Sequence, residues 1–211
     1  MDETAAAGGA TSPESGPARV LALGDSLTAG YGLAPGKGFT DQLQRWLAER
    51  MARPVRVINA GVSGDTSSGG YSRLDWALGS VEGKPDLVIV ELGANDGLRG
   101  VDPRVTRRKL DAILQDLTAR DIPVLLAGMR APPNLGPDYA AAFDPLFKAL
   151  AEKHDVAFYP FFLEGVAADP DLNQDDGIHP TAKGVAVIVD NIGPHVLDAL
   201  SGVADQAGGG D

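Results

Sequence analysis

The sequence predicts a three-layer α/β protein in which a central, mostly parallel five-stranded sheet lies between two layers of helices. Five short, almost wholly apolar runs recur along the 211 residues, as expected for strands buried on both faces. Apolar residues in the intervals repeat at helical spacing. The two patterns alternate, which is typical of a parallel sheet covered by helices on both sides.

The predicted strands are short, and three of them end on a glycine. The first, RVLALG, is followed at once by an acid and a serine, so the chain changes from apolar to reactive side chains within two residues. The five runs occupy residues 19–24, 55–61, 86–93, 122–129 and 156–161.

Five apolar stripes predict the helices of the outer layers. The third stripe begins behind Asp102 and Pro103, a typical pair for a helix start, and the fifth is opened by Pro180 and expected to be interrupted at Pro194. In chain order the stripes are Leu43, Trp46, Leu47, Met51; Leu74, Ala77, Leu78, Val81; Leu110, Ile113, Leu114, Leu117; Phe143, Leu146, Phe147, Leu150; and Val185, Ile188, Val189, Ile192.

Composition limits the kind of partner. The formal charge of -11 and the isoelectric point near 4.6 argue against nucleic acid or an anionic membrane, because both would be repelled. With no cysteine, thiol nucleophiles and disulfides are excluded, and three histidines leave little room for a histidine-based metal cluster. No apolar run is long enough for a membrane span. We expect a small-molecule partner, no stable membrane insertion and a monomer.

Both ends of the chain are small and polar and contain glycine. Residues 1–17 and 201–211 cannot bury enough apolar surface to order themselves, so disordered tails are predicted around one domain, residues 18–200. The first 17 residues lack the basic start and apolar stretch of a signal peptide. Because such a tail also remains when an export signal is removed, we expect a periplasmic or secreted protein, or a cytoplasmic one if the sequence is complete.

Polar residues follow each of the first three predicted strands. In a parallel sheet, ligands bind beyond the carboxyl ends of the strands, so these residues are candidates for chemistry. Asp25 and Ser26 follow the first strand, residues 63–66 the second, and Asn95 and Asp96 the third. The same residue types favour turns, so any one of these segments alone is better explained as a turn.

A fourth polar segment, DDGIHP at 175–180, favours a catalytic explanation. A serine hydroxyl becomes a nucleophile when a base takes its proton, and an acid must hold that base in one tautomer. Asp176 precedes His179 by three residues, so a bent loop can bring the carboxylate to Nδ1 and leave Nε2 to face Ser26. Asp175 is the rival acid, and we prefer Asp176.

Three groups are candidates for holding the negative charge that develops on an attacked carbonyl. A strand that stops at Gly24 and turns into a helix would place the Ser26 N–H at the positive end of that helix. Gly64 offers a backbone N–H without an obstructing Cβ, and Asn95 offers a neutral –NH2.

Together these segments resemble the sequence blocks of the SGNH (GDSL) hydrolase family. The resemblance covers residues 19–200 and is greatest to the branch of bacterial arylesterases and multifunctional thioesterase/lysophospholipases. All four blocks are present in the family's order: GDSLTAGYGL, NAGVSGDTSSGG, ELGANDGLRG and DDGIHPTAKG.

The resemblance implies a role for each candidate residue. Ser26 is the nucleophile, Asp176 and His179 complete the triad, and Gly64 and Asn95 complete the oxyanion hole with the Ser26 N–H. It also implies an SGNH/flavodoxin-like fold, no cofactor and no metal. The implied function is a serine esterase that hydrolyses short- to medium-chain aryl or alkyl carboxylic esters through an acyl-enzyme. Acyl thioesters and lysophospholipids are alternative substrates for the same site.

Two other classes of function remain open from the residues alone. A noncatalytic binding protein could have kept the fold. Asp65 and Asp96 could hold a divalent metal, as in metallophosphoesterases, but no histidine lies near the first and third strands to complete such a site.

Two further features of the sequence bear on how a substrate would be bound. Leu98 and Ile178 adjoin the catalytic blocks and are candidates for an apolar wall beside the acyl chain. Residues 129–143 carry Pro132, Pro133 and Pro137, which predicts a shaped loop at the rim of the site.

Overall fold

The computed structural model of the chain describes residues 16 to 207, with side chains described as far as residue 202. All five strands of its single sheet are parallel, in the order β2-β1-β3-β4-β5, which confirms the predicted three-layer fold. The strands are β1 (Ala18–Gly24), β2 (Val55–Gly61), β3 (Leu87–Glu91), β4 (Val124–Ala127) and β5 (Ala157–Tyr159).

Helices connect the strands and form the two outer layers. They are α1 (Ser26–Ala29), α2 (Phe39–Ala48), α3 (Ser67–Ser72), α4 (Leu74–Gly79), α5 (Ala94–Leu98), α6 (Pro103–Thr118), α7 (Pro137–His154) and α8 (Ala182–Ala207). Helix α6 starts as the sequence predicts: Asp102 caps it by accepting a hydrogen bond from the Arg104 N–H at 2.9 Å, and Pro103 occupies the first turn.

The core lies between the sheet and the two helix layers. Helices α2 and α8 pack together on one face, and α6 and α7 pack together on the other. Strands β3 and β4 are buried along their whole length, which explains why their sequences do not alternate with polar residues. Aromatic pairs fill both sides: Phe39 meets Phe162 edge to face, and Phe143 meets Phe147 in the same manner.

The register of the sheet brings the ends of three strands level with one another. Gly24, the last residue of β1, lies opposite Gly61 at the end of β2 and opposite Glu91 at the end of β3. The segments that follow these three strands therefore leave the sheet at one edge, where the predicted site residues lie.

Two predictions about the end of the chain need correction. Helix α8 continues through Pro194, because a proline removes only one intrahelical hydrogen bond and Ile192 and Val196 on either side of it are buried. The same helix extends to Ala207, so the tail predicted from residue 201 is helical over most of its length. Residues 208–211, and residues 1–15 of the predicted N-terminal tail, lie outside the described residues.

The predicted rim loop is shorter than expected. A 3₁₀ turn spans Pro133–Leu135, and α7 begins at Pro137, so residues 137–143 are helical. Proline fits the first turn of a helix because no N–H is needed there, and Pro137 marks a helix start rather than a loop. The remaining loop still packs beside the site, where Pro132 lies against Gly97.

None of the described helices combines the length and apolar character needed to cross a membrane.

Candidate active site

Ser26 lies at an abrupt change from strand to helix. Strand β1 ends at Gly24, Asp25 caps the next helix by accepting a hydrogen bond from the Leu27 N–H, and Ser26 is the first residue of α1. A Cβ on Gly24 would collide with the Thr28 side chain and lie 2.6 Å from Glu91 Oε2, so only glycine allows this close turn. The turn leaves Ser26 half-buried at the carboxyl end of the sheet.

The loop before α8 brings an imidazole to this serine. His179 Nε2 lies 2.9 Å from Ser26 Oγ, across 153 positions of sequence. On the other side of the ring, His179 Nδ1 lies 2.6 Å from Asp176 Oδ2. The three predicted side chains therefore form a continuous line of hydrogen bonds, Asp176 to His179 to Ser26.

The loop structure itself decides between the two neighbouring acids. Asp176 Oδ1 accepts the backbone N–H groups of Ile178 and His179, at 2.9 and 3.0 Å, while its other oxygen holds the ring. These hydrogen bonds, that of the His179 backbone foremost, lower the pKa of Asp176 to about 2, so it is a carboxylate at any working pH. Gly177 turns the chain with a positive φ of 68°. Asp175 is exposed, and it is Asp176 that binds the ring.

Two residues that the sequence analysis did not single out hold the histidine loop in place. The ring of Tyr31 lies 4.5 Å from that of His179, centroid to centroid. The Gln174 amide donates to the backbone oxygens of Tyr31 at 2.9 Å and Pro180 at 3.0 Å, which ties the first block to the last. The position of Tyr31 inside the first motif was the available signal; Gln174 carried none, because only the folded chain brings it near Tyr31.

The three predicted oxyanion donors lie on the segments that follow β1, β2 and β3. Among the described residues, neither the Ser26 N–H nor the Gly64 N–H has a hydrogen-bond acceptor, which leaves both free for a ligand. Gly64 has a φ of +85°, a conformation that residues with a side chain rarely adopt. Its carbonyl oxygen accepts a hydrogen bond from the Arg99 guanidinium at 2.7 Å. The Asn95 amide donates one N–H to Asp25 Oδ2 at 3.0 Å, so its second N–H is available.

The two acids considered as metal ligands make structural contacts instead. Asp65 pairs with Arg73, whose Nε lies 2.5 Å from the carboxylate. Asp96 is fully buried and accepts from the Ser67 N–H, the Ser67 hydroxyl and the Thr106 hydroxyl. No group of three or more histidine, aspartate or glutamate side chains suited to a metal occurs within residues 16–202.

Exposed apolar side chains occur on the same segments as the polar groups of the site. Five large apolar side chains are exposed in the described part of the chain, and four of them belong to the segments that carry the site. These four are Tyr31, Val62, Leu98 and Ile178, the last two being 50% and 43% exposed. Such clustering around one site is typical of a surface that binds an apolar ligand.

The arrangement has the parts needed for acyl transfer to a serine. A hydroxyl meets a base, the base meets a carboxylate that is ionised, and the segments that follow β1, β2 and β3 each carry an N–H group that is available to a ligand.

Comparison with known proteins gives consistent results at three levels. The model of the GDSL-like Lipase/Acylhydrolase family matches residues 22–187. The chain is 42% identical to esterase TesA of Pseudomonas aeruginosa over 86% of this chain and 89% of that protein. It is 41% identical to thioesterase 1/protease 1/lysophospholipase L1 of Escherichia coli K12, over 81% of this chain and 79% of that one.

A solved structure is similar over nearly its whole length. The crystal structure of AlinE4, an esterase of the SGNH-hydrolase family, matches 87% of this chain and 97% of its own, with 49% identity and a TM-score of 0.74.

Proposed function

The chain belongs to the GDSL-like lipase/acylhydrolase family, and we propose that Ser26 forms the acyl-enzyme through which it hydrolyses short- to medium-chain carboxylic esters. It is a carboxylic ester hydrolase of the SGNH type. One observation carries the proposed assignment of residues: His179 Nε2 lies 2.9 Å from Ser26 Oγ while Nδ1 lies 2.6 Å from Asp176.

Acylation begins at the hydroxyl of Ser26. Its O–H bond breaks as the proton passes to His179 Nε2, and Oγ forms a bond to the ester carbonyl carbon. The carbonyl oxygen becomes an oxyanion, which the N–H groups of Ser26, Gly64 and Asn95 stabilise. Asp176 holds the imidazole in the tautomer that accepts this proton and stabilises the imidazolium that results.

The intermediate then loses its alcohol or phenol. The bond from the carbonyl carbon to the leaving oxygen breaks, and His179 Nε2 returns its proton to that oxygen, which leaves the acyl group on Ser26. Water enters, gives a proton to the same nitrogen and attacks the acyl carbon. The bond to Ser26 Oγ breaks, the serine recovers its proton, and the acid leaves.

The apolar side chains around the site support an acyl substrate. We propose that Leu98 and Ile178 line the path of the acyl chain, because both are exposed and each belongs to a segment that carries a catalytic group. The line of hydrogen bonds supplies the chemistry, and this apolar surface supplies binding energy, at about 0.8 kcal/mol for each methylene that it removes from water.

Replacement of the nucleophile tests the assignment. Ser26→Ala should fold normally and lose nearly all hydrolysis of a p-nitrophenyl ester, and an organophosphorus reagent should label the native chain at Ser26 but not the variant. The matched control is Ser72→Ala, which removes the hydroxyl of an exposed serine bonded only to its own helix. A native rate in Ser26→Ala would rule out the mechanism, and catalysis without labelling would point to a different nucleophile.

A further inference from the structure

Two acids lie beneath the site, and the proposed reaction uses neither as a base or a nucleophile. Asp25 and Glu91 are both fully buried, at 0% exposure. Asp25 directly precedes Ser26, and Glu91 ends β3 in register with Gly24. Two neighbouring acids in an apolar interior cannot both be charged without a large free-energy penalty. The hydrogen bonds around the two acids therefore determine which of them carries the charge.

The two acids differ in the hydrogen bonds they receive. Both oxygens of Asp25 have an N–H donor: Oδ1 accepts from Leu27 at 3.0 Å, and Oδ2 accepts from the Asn95 amide at 3.0 Å. Glu91 Oε2 accepts from the Thr28 hydroxyl at 2.7 Å and, at 3.4 Å, from the Asp25 N–H. Glu91 Oε1 is buried and has no partner within the described chain. The environment therefore favours a carboxylate at Asp25 and a neutral acid at Glu91.

The guanidinium group of Arg73, which could otherwise stabilise a charge on Glu91, is bound to other groups. Arg73 reaches the end of β1, but its three nitrogens bind Asp65, the Ala60 carbonyl and the Gly24 carbonyl. Glu91 thus has neither an N–H donor on Oε1 nor a salt bridge among the described residues.

The directions in which the pKa values of the two acids are shifted agree with this geometry. Burial raises the pKa of Asp25 to about 6, an effect that the Leu27 N–H, the Asn95 amide and the charge of His179 oppose and that of Asp65 reinforces. Burial, and next the charge of Asp25, raise the pKa of Glu91 well above its usual range. The pKa of Glu91 is therefore raised in the direction that favours its neutral form.

We propose that Glu91 is a positioning residue whose retained proton leaves the negative charge of the pair on Asp25, where it fixes the orientation of the Asn95 amide. This inference rests on the proposed role of Asn95 in the oxyanion hole. A carboxylate only accepts hydrogen bonds, so it must face the amide nitrogen, and the second N–H is then held ready for the oxyanion. A protonated Asp25 can donate to the amide oxygen instead, which would turn the amide over and present a carbonyl oxygen to the developing charge.

Infrared spectroscopy at pH 7 tests the position of the proton without reference to activity. The native chain should show the C=O stretching band of a protonated carboxyl group that is lost in Glu91→Gln and kept in Asp25→Asn. The band should persist in Ser26→Ala and in Glu152→Gln, which alters an exposed glutamate paired with Lys148. Because inactive Ser26→Ala keeps the band, failure of this inference is distinguishable from failure of the proposed mechanism.

Isotope labelling gives the same answer if a variant fails to fold. Incorporation of ¹³C-glutamate should shift the band of the native chain, whereas ¹³C-aspartate should not. A band that shifts with aspartate, or a native spectrum with no protonated carboxyl at pH 7, would overturn the proposal.

Kinetics test the consequence for catalysis. Glu91→Gln keeps a neutral hydrogen-bonding side chain and should retain kcat within about threefold. Glu91→Met is also neutral but leaves the Thr28 hydroxyl and the Asp25 N–H without their acceptor, so Asp25 is held less firmly and kcat should fall about tenfold or more with little change in KM. Asp25→Asn should lower kcat in the same manner. The amide introduced at position 25 can both donate and accept hydrogen bonds, so it no longer fixes the orientation of the Asn95 amide. A loss in Glu91→Gln as large as in Glu91→Met would show that a charged Glu91 is required, and would refute the proposal.

Discussion

At the scale of single residues, hydrogen bonds fix the orientation of the side chains that form the site. Asp176 binds the ring of His179 with one oxygen and the backbone of its own loop with the other, so the acid cannot turn away without breaking three hydrogen bonds. Asn95 is held in the same manner, with one N–H bound to Asp25 and the other available. Preorganisation of this kind lets a site stabilise a transition state without reordering during the reaction.

Removal of the Asn95 amide should slow the chemical step. Asn95→Ala deletes one of the proposed oxyanion donors, and loss of such a donor typically reduces kcat on the order of 10²- to 10³-fold while substrate binding changes little. Steady-state kinetics with a p-nitrophenyl ester measure both parameters. Asn134→Ala, at an exposed position in the 3₁₀ turn, is the control and should be unchanged. If kcat remained native in Asn95→Ala, the amide would have no part in the oxyanion hole.

The low pKa of Asp176 predicts a particular dependence of stability on pH. Since hydrogen bonds lower this pKa to about 2 in the folded chain, the ionised group stabilises the fold above the unfolded-state value of about 4 and loses that effect as pH falls towards 2. Denaturant unfolding of the native chain and Asp176→Asn should therefore give free energies that converge between about pH 5 and pH 2. A constant difference across that range would contradict the assignment.

At the scale of elements, the change from β1 to α1 determines where Ser26, the proposed nucleophile, lies. The strand ends at Gly24, the next residue caps a one-turn helix, and Gly30 ends that helix in the left-handed conformation. Such a short helix presents Ser26 at its first position, where the backbone N–H has no intrahelical partner. Glycine at position 24 is required because Thr28 and Glu91 occupy the space beside it.

A side chain at position 24 should distort this turn. Gly24→Ala places a methyl group against Thr28 and Glu91, and overpacking of this kind destabilises by about 1–3 kcal/mol. We expect a lower melting temperature together with a lower kcat. Gly79→Ala is the matched control, because no atom lies within 4 Å of its added Cβ, and it should fold as well as the native chain. Equal stability of the two variants would show that the close contacts at Gly24 have no energetic consequence.

At the scale of the whole molecule, the parallel sheet brings distant segments to one edge. The segments after β1, β2 and β3 and the loop before α8 supply all of the site residues, and the four exposed apolar side chains come from the same segments.

The apolar side chains at this edge should set the preference for acyl chain length. In the native chain, kcat/KM should rise with each added methylene until the surface is covered, by a factor of about three to four if each is fully buried. A double change of Leu98→Ser and Ile178→Ser should flatten this rise across p-nitrophenyl esters and acyl-CoA thioesters of increasing length.

The control for chain-length preference is another exposed apolar residue. Trp76→Ser removes a 69% exposed side chain from α4, outside the site segments, and should leave the chain-length profile unchanged. An unaltered profile in the double variant would remove Leu98 and Ile178 from the acyl path. The ratio of ester to thioester turnover in the native chain decides which acyl substrate it prefers.

The sequence by itself determined most of the elements and the chemical groups. The five strands and the helices with apolar stripes follow from local periodicity, whereas α3 and α5 carry no such stripe and were not predicted. The motif around Ser26 and the spacing of Asp176 and His179 are local patterns too. The predictions made from Pro137 and Pro194, a loop and an interrupted helix, were wrong. The effect of a proline depends on its position in the helix and on the packing around it.

Only the tertiary structure decided the contacts that make these groups a site. The 2.9 Å approach of His179 to Ser26, the support from Tyr31 and Gln174, and the burial of Glu91 beside Asp25 all join segments far apart in the chain. No local pattern encodes such contacts, because they depend on strand order, register and packing of the complete sheet. In the sequence Glu91 is one polar residue in an apolar strand. In the fold it is a buried acid beside Asp25, with no salt bridge to any residue that the structure describes.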